Sequence, residues 1–221
     1  ASELNNLGVR VAALENKVGN VKVTGDMRLR YRGSEDKGLF KEDSKSKFDM
    51  RGRVQFNATV NEDTKAVVRL TSGNMEFGDS TNNTTKVDRA YVQHQFGDAV
   101  SVTAGRYNQV IGGGLINDDT FDGVNAKIGN DKVQLEAAYG YFMEGDFAKH
   151  DVTRGNLVDD NTSFTYVGLK GKVADNTTLG GFWGKYHGDI DDSVYGFNLN
   201  ANFGKVWVGG EWTDMNDTDN A

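Results

Sequence analysis

The sequence predicts an all-β fold, an antiparallel transmembrane β-barrel preceded by a short coiled-coil helix. Three observations carry that expectation. Eleven stretches alternate apolar and polar side chains at period two, the repeat of a strand with one face in oil and the other in water. Arginine recurs on the polar face of the first few, where a strand beside bulk water seldom needs it at successive positions. Tight and long connections also alternate along the chain, the asymmetry of a barrel with short turns on one side of a membrane and long loops on the other.

Composition sets the outer limits. A chain of 221 residues can form one large all-β domain, and 28 Gly with no Pro suits long uninterrupted ladders. The absence of cysteine excludes disulfides and cysteine-ligated metals. A net charge of -7, without a basic patch interleaved with aromatics, argues against a nucleic-acid partner. Mean hydropathy is -0.58, and no apolar run approaches the roughly 20 residues of a transmembrane helix. A barrel is compatible with both facts, because only every second strand residue meets lipid. No basic start and apolar stretch opens the chain, so Ala1 reads as lying in a mature or trimmed protein.

The first element, residues 1–19, has a different period. Leu4, Leu7, Val11, Leu14 and Val18 step by three and four, which places them at the a and d positions of a heptad coiled coil. Ser2 can cap this helix and Gly19 can end it. At about 25 Å it is marginal alone in water and needs partner helices. Val at a with Leu at d is a dimer pattern, whereas Arg10, Val11, Leu14 and Glu15 resemble a trimerisation signature of Arg, apolar, two free positions, apolar, Glu. A trimeric stalk is favoured over an amphipathic helix packed on its own domain, since little beyond the a/d seam is apolar.

The barrel domain then occupies residues 20–221. In the first strand, 21–32, Val21, Val23, Met27, Leu29 and Tyr31 share one face and Asp26, Arg28, Arg30 and Arg32 the other. The second, 47–60, sets Phe48, Met50, Val54 and Phe56 against Asp49, Arg51, Arg53 and Gln55. Further strands are expected at 64–72, 86–96, 99–107, 121–128, 132–143, 163–173, 177–187, 193–203 and 206–214. Tight turns fall at Asn61-Glu62-Asp63, Gly97-Asp98, Gly129-Asn130-Asp131, Ala174-Asp175-Asn176 and Gly204-Lys205, and long polar connections at 33–46, 73–85, 108–120 and 144–162. The stalk enters from the side of the tight turns, which in an outer membrane is the periplasm. Tyr31, Phe56, Phe96, Tyr139, Tyr141, Phe203 and Trp212 fall toward strand ends, as an interfacial girdle requires. Eleven strands cannot close antiparallel, so the barrel reads as incomplete at its C-terminal end. A miscounted strand, with 177–187 the weakest, is the competing explanation.

Alternation points Arg28, Arg30, Arg32, Arg51, Arg53, Arg69 and Arg89 inward on four consecutive strands, a basic wall that is costly without counter-charge. Asp118 and Asp119 in the third long connection, followed by Asp122, are the candidate counter-charges, provided that connection folds across the pore. Arginines facing carboxylates order water and filter small solutes by size and charge. The plainer alternative is that these charges solvate a strand. Gly112-Gly113-Gly114 lacks the basic residue and helix start of a phosphate cradle and reads as a hinge for the same connection.

No metal or cofactor site emerges. Asp189, Asp191 and Asp192, and the tail Asp214, Asn216, Asp217 and Asp219, miss the spacing of a calcium loop. His94, His150 and His187 show no ligand spacing. An enzyme is not expected either, because no nucleophile elbow or paired His and Asp can be picked out. The second-ranked alternative is a trimeric tether or adhesin, which should carry polar residues on both faces of its outer strands.

With these residues a family resemblance appears. The heptad stalk, Val21-Lys22-Val23-Thr24-Gly25-Asp26-Met27-Arg28-Leu29-Arg30-Tyr31, Arg51-Gly52-Arg53-Val54-Gln55-Phe56 and Asp88-Arg89-Ala90-Tyr91-Val92 resemble the OmpM-type porins of diderm Firmicutes, the Negativicutes. Ala104-Gly105-Arg106-Tyr107 and Phe121-Asp122-Gly123-Val124 resemble the strands flanking the inward third loop of general porins. The resemblance covers nearly the whole chain. It implies a homotrimer of sixteen-stranded barrels in outer-membrane lipid, passing small hydrophilic solutes and ions. It also implies a preceding surface-layer-homology domain that grips peptidoglycan or its modified polymers. That domain and about five strands have no counterpart in this sequence.

Overall fold

The structure, a computed structural model, describes residues 19–38, 41–80, 84–143, 162–188 and 192–216, with the backbone alone for 34–38 and 41–45. The expected stalk, including Leu4, Leu7, Arg10, Val11, Leu14, Glu15 and Val18, lies outside the described residues. Among the described residues every regular element is a strand: β1 (Val21–Gly38), β2 (Lys41–Asn61), β3 (Thr64–Thr71), β4 (Met75–Glu76), β5 (Lys86–Phe96), β6 (Val100–Ile111), β7 (Asn117–Gly129), β8 (Val133–Phe142), β9 (Ser163–Ala174), β10 (Thr177–His187), β11 (Ser193–Phe203) and β12 (Val206–Asn216). They make an antiparallel sheet of order β1-β2-β3-β5-β6-β7-β8-β9-β10-β11-β12, with β4 paired to β2 off that path. The eleven expected strands are the members of the path. None of the described residues forms a helix long and apolar enough to cross a membrane.

Two expected long connections are shorter than expected. The pairing of β1 with β2 continues in register from Val21↔Ala58 to Gly38↔Lys41, so most of 33–46 is strand. Ladder hydrogen bonds need no apolar side chains, and without proline nothing in this segment interrupts them. Likewise β6 and β7 stay paired from Val100↔Ile128 to Ile111↔Asn117, which makes the third connection a long hairpin with its turn at residues 112–116.

The chain divides into two compact units, residues 1–90 and 91–221. In the first, Met27, Leu29, Tyr31, Phe48, Val54, Phe56 and Val68 are exposed on one face of β1–β3, the face that alternation assigns to lipid. Their sequence neighbours Arg28, Arg30, Asp49, Arg51, Arg53 and Arg69 occupy the opposite face. A one-residue slip would exchange the two sets, so period two fixes register strongly here.

The second unit repeats the exposed apolar face with Val124, Leu135, Tyr139, Val167, Leu169, Trp183, Phe197 and Trp212. Its opposite face departs from the expected oily outside and wet inside. Toward the long-connection end of the strands, Tyr107, Ile111, Phe121, Phe164, Phe182, Tyr186 and Val194 form a buried apolar cluster on the inner side. The reason is space: the Phe164 ring lies where a Cβ of Gly184 would stand, and the Phe121 ring covers Gly123 and Gly140, which pair with each other. Glycines on the inner face open shelves, and aromatic rings fill them.

Candidate pore-lining surfaces

The basic wall belongs to the first unit. Register sets Arg28 opposite Arg51, Asp26 opposite Arg53 and Arg30 opposite Asp49. Asp49 is 2 % exposed and gathers three cations: Arg30 Nη2 at 3.0 Å, Arg32 Nη2 at 2.9 Å and Arg28 Nη2 at 3.8 Å. Arg30 and Arg32 also donate to it through Nε, at 3.1 and 3.0 Å. Arg28 donates to Asn74 Oδ1 at 2.6 Å. Arg53 clasps Asp26, with Nε 2.9 Å and Nη2 2.9 Å from Oδ2. Arg69 holds Asp88 through Nε at 2.9 Å and Nη2 at 2.8 Å, and Arg89 donates Nη1 to the Asp88 carbonyl oxygen at 2.6 Å.

Arg51 is the exception. It has no hydrogen-bond or ion-pair partner among the described residues, and its Nε and that of Arg28 are buried without an acceptor. Two like charges directly opposite on adjacent strands repel. Among the described residues the seven arginines outnumber the carboxylates of this face, Asp26, Asp49, Asp88 and Glu76, the last of which is paired with Lys47 at 2.7 Å. The carboxylates Asp26, Asp49 and Asp88 were not among the sequence candidates, although alternation already put Asp26 and Asp49 on the arginine face.

The second surface is the β6–β7 hairpin. Its turn needs glycine, with φ of +65° at Gly112 and +107° at Gly114. The Gly113 and Leu115 amides donate to Glu211 Oε1 and Oε2 at 2.8 and 3.0 Å, so a carboxylate on β12 receives the tip. A Cβ on Gly112 would strike Glu211 and Phe182, and only glycine lets the backbone approach so closely. Further down the same hairpin, Gln109 donates to Glu136 Oε1 at 3.0 Å, and Asn125 donates to Gln109 Oε1 at 2.8 Å and Glu136 Oε1 at 2.6 Å. This buried amide and carboxylate network satisfies itself.

Alternation gives the hairpin two faces. Tyr107, Gln109, Ile111, Phe121 and Asn125 pack on the inner side of β8–β11. Arg106, Asn108, Asp118 and Asp122 lie on the reverse. There Arg106 binds Asp122 bidentately at 2.8 and 2.7 Å, and Asn108 Nδ2 donates to Asp118 at 2.8 Å. Asp119 has the opposite parity and accepts the Thr120 amide at 2.6 Å. Asp118 and Asp122 therefore share a surface that Asp119 does not. Glu136, Glu211 and Gln109 escaped sequence reasoning, because their roles depend on what the hairpin meets; the Arg106–Asp122 pair follows from the register within the hairpin.

Among the described residues no group of three His, Cys, Asp or Glu can hold a metal ion. His187 Nε2 lies 2.9 Å from Thr165 Oγ1, His94 packs edge-on to Phe96, and His150 falls outside the described residues.

No curated protein matches this chain. Among solved structures it is similar to two triple mutants of the porin of Rhodopseudomonas blastica, each at 17% identity with a TM-score of 0.46, covering 90% of this chain and 86% of that one. A further triple mutant of that porin is similar at 16% identity and a TM-score of 0.45, over 90% of this chain and 85% of its own. The model of a family described as "Putative porin" matches residues 39–162. That span is more than half of the chain, and the chain belongs to this family of porins.

Proposed function

We propose that the protein is a general diffusion channel of the OmpM type, passing small hydrophilic solutes and ions across an outer membrane as a homotrimer in lipid. Residues 1–19 are then a periplasmic stalk leading toward a domain that binds peptidoglycan or its modified polymers. The observation that carries this reading is the arginine face of β1–β3, where Arg51 has no partner among the described residues and lies back to back with an exposed apolar face. A soluble sheet gains nothing from such an arrangement, whereas a pore wall gains a field that acts on passing ions. In the second unit, Asp118 on the reverse face of the hairpin is the carboxylate that acts on passing solutes; Asp122 is neutralised by Arg106 and stands opposite Tyr141, and Asp119 contributes through the hairpin's own structure.

Bilayer recordings in a salt gradient test it. The parent should open in steps of three, and replacing Arg28, Arg30, Arg51 and Arg53 by Gln should move the reversal potential toward cation preference. An unchanged reversal potential in that variant would refute the role assigned to the wall.

A further inference from the structure

The inner face of the second unit changes character along its strands. Toward the long connections it is packed with rings, as described above. Toward the tight turns, Thr178 on β10 and Asn198 and Asn200 on β11 replace the rings by small polar groups. They leave a recess of about 780 Å³ roofed by Gly112 and Gly113 of the hairpin tip, within the range of small-molecule sites.

Four lysines enter this recess: Lys127 on β7, Lys132 in the β7–β8 turn, and Lys170 and Lys172 on β9. The ladder brings them together. Lys127 stands opposite Glu136, Lys170 opposite Gln134, and the Lys172 amide donates to the Lys132 carbonyl oxygen at 2.7 Å. Lys127 is partly neutralised by Glu136, 3.7 Å away, but Lys132, Lys170 and Lys172 have no ion pair among the described residues. Asp98 and Asp131 are the carboxylates among the lining residues, so positive charge is in excess here in a chain whose net charge is -7.

We propose that this recess is a binding station for the phosphate group of a small phosphorylated solute. Several flexible ammonium groups converging from different strands suit a compact oxyanion of charge two, since each acts as a point charge that can turn toward it. The amides of Asn198 and Asn200 and the Thr178 hydroxyl suit a hydroxyl-rich body attached to that phosphate. The inference rests on the channel reading for the route by which the solute arrives, but its binding test does not.

The test is titration of the full-length protein in detergent with inorganic phosphate and with glucose 6-phosphate, followed by phosphorus NMR line width. Saturable broadening is expected for the parent. The triple variant Lys132→Gln, Lys170→Gln, Lys172→Gln, checked for parental circular dichroism, should bind roughly tenfold more weakly. No saturation in the parent overturns the station, and so does unchanged binding in the triple variant. Loss of binding in Arg51→Gln with the lysine variant unaffected also overturns it, by moving the anion to the arginine wall. A silent bilayer together with lysine-dependent phosphate binding would sink the channel reading and leave the station standing.

Discussion

Asp49 carries more of the local electrostatics than any other described residue of the first unit. Its side chain is 2 % exposed while Arg28, Arg30 and Arg32 close on it, so its removal leaves three guanidiniums to repel one another. Asp49→Asn should lower barrel stability by about 1 kcal/mol, the scale of a partly screened ion pair, read as a lower urea midpoint. The same variant should shift the reversal potential toward anions. A variant as stable and as selective as the parent would mean that the arginines find water instead. Alternation alone places Asp26 and Asp49 on the arginine face. It does not say which arginine each meets, because that depends on register, and the length of the β1–β2 turn was not legible in a polar segment with neither proline nor an obvious turn signal.

At the scale of elements, the β6–β7 hairpin shows where local sequence stops informing. The three glycines are visible as a hinge, but the group that receives the tip is Glu211, 98 residues further on. The buried rings beneath the hairpin were hidden for a related reason: period two assigns side chains to faces and says nothing about whether the inner face is wet. Phe182, Gly184 and Tyr186 in alternation are the available signal, a strand apolar on both sides with a gap for a neighbour's ring. The two-residue strand β4 is too short to show any period. Glu211→Ala removes two charge-assisted hydrogen bonds and should weaken tip docking by about 2 kcal/mol, giving larger and noisier single-channel currents. Glu211→Gln, which keeps one acceptor oxygen, should recover part of the parental conductance. Identical currents in all three proteins would show that the Gln109, Asn125 and Glu136 network holds the hairpin unaided.

For the whole molecule, the strand order and the exposed apolar faces were legible because lipid and water impose the same alternation on every strand. Membership of a porin family gives that pattern its setting as an outer-membrane β-barrel protein. The trimeric stalk proposed for residues 1–19 belongs to this scale as well. Changing both Val11 and Leu14 to Asp would place charge in the a/d seam and should reduce the oligomer to monomer in mild detergent, measured as mass by light scattering. An unaltered mass would move the contacts that hold the oligomer from the stalk to the β-sheet domain.

The central claim is that the arginine-bearing face lines a water-filled path and the apolar face meets lipid. Because the chain has no cysteine, single replacements at Arg51, Asp118 and Leu29 can each be exposed to a charged, membrane-impermeant thiol reagent during bilayer recording. Arg51→Cys and Asp118→Cys should change current on modification, and Leu29→Cys should remain silent. A response from Leu29→Cys with silence at the other two would contradict the assignment of faces, and with it the pore.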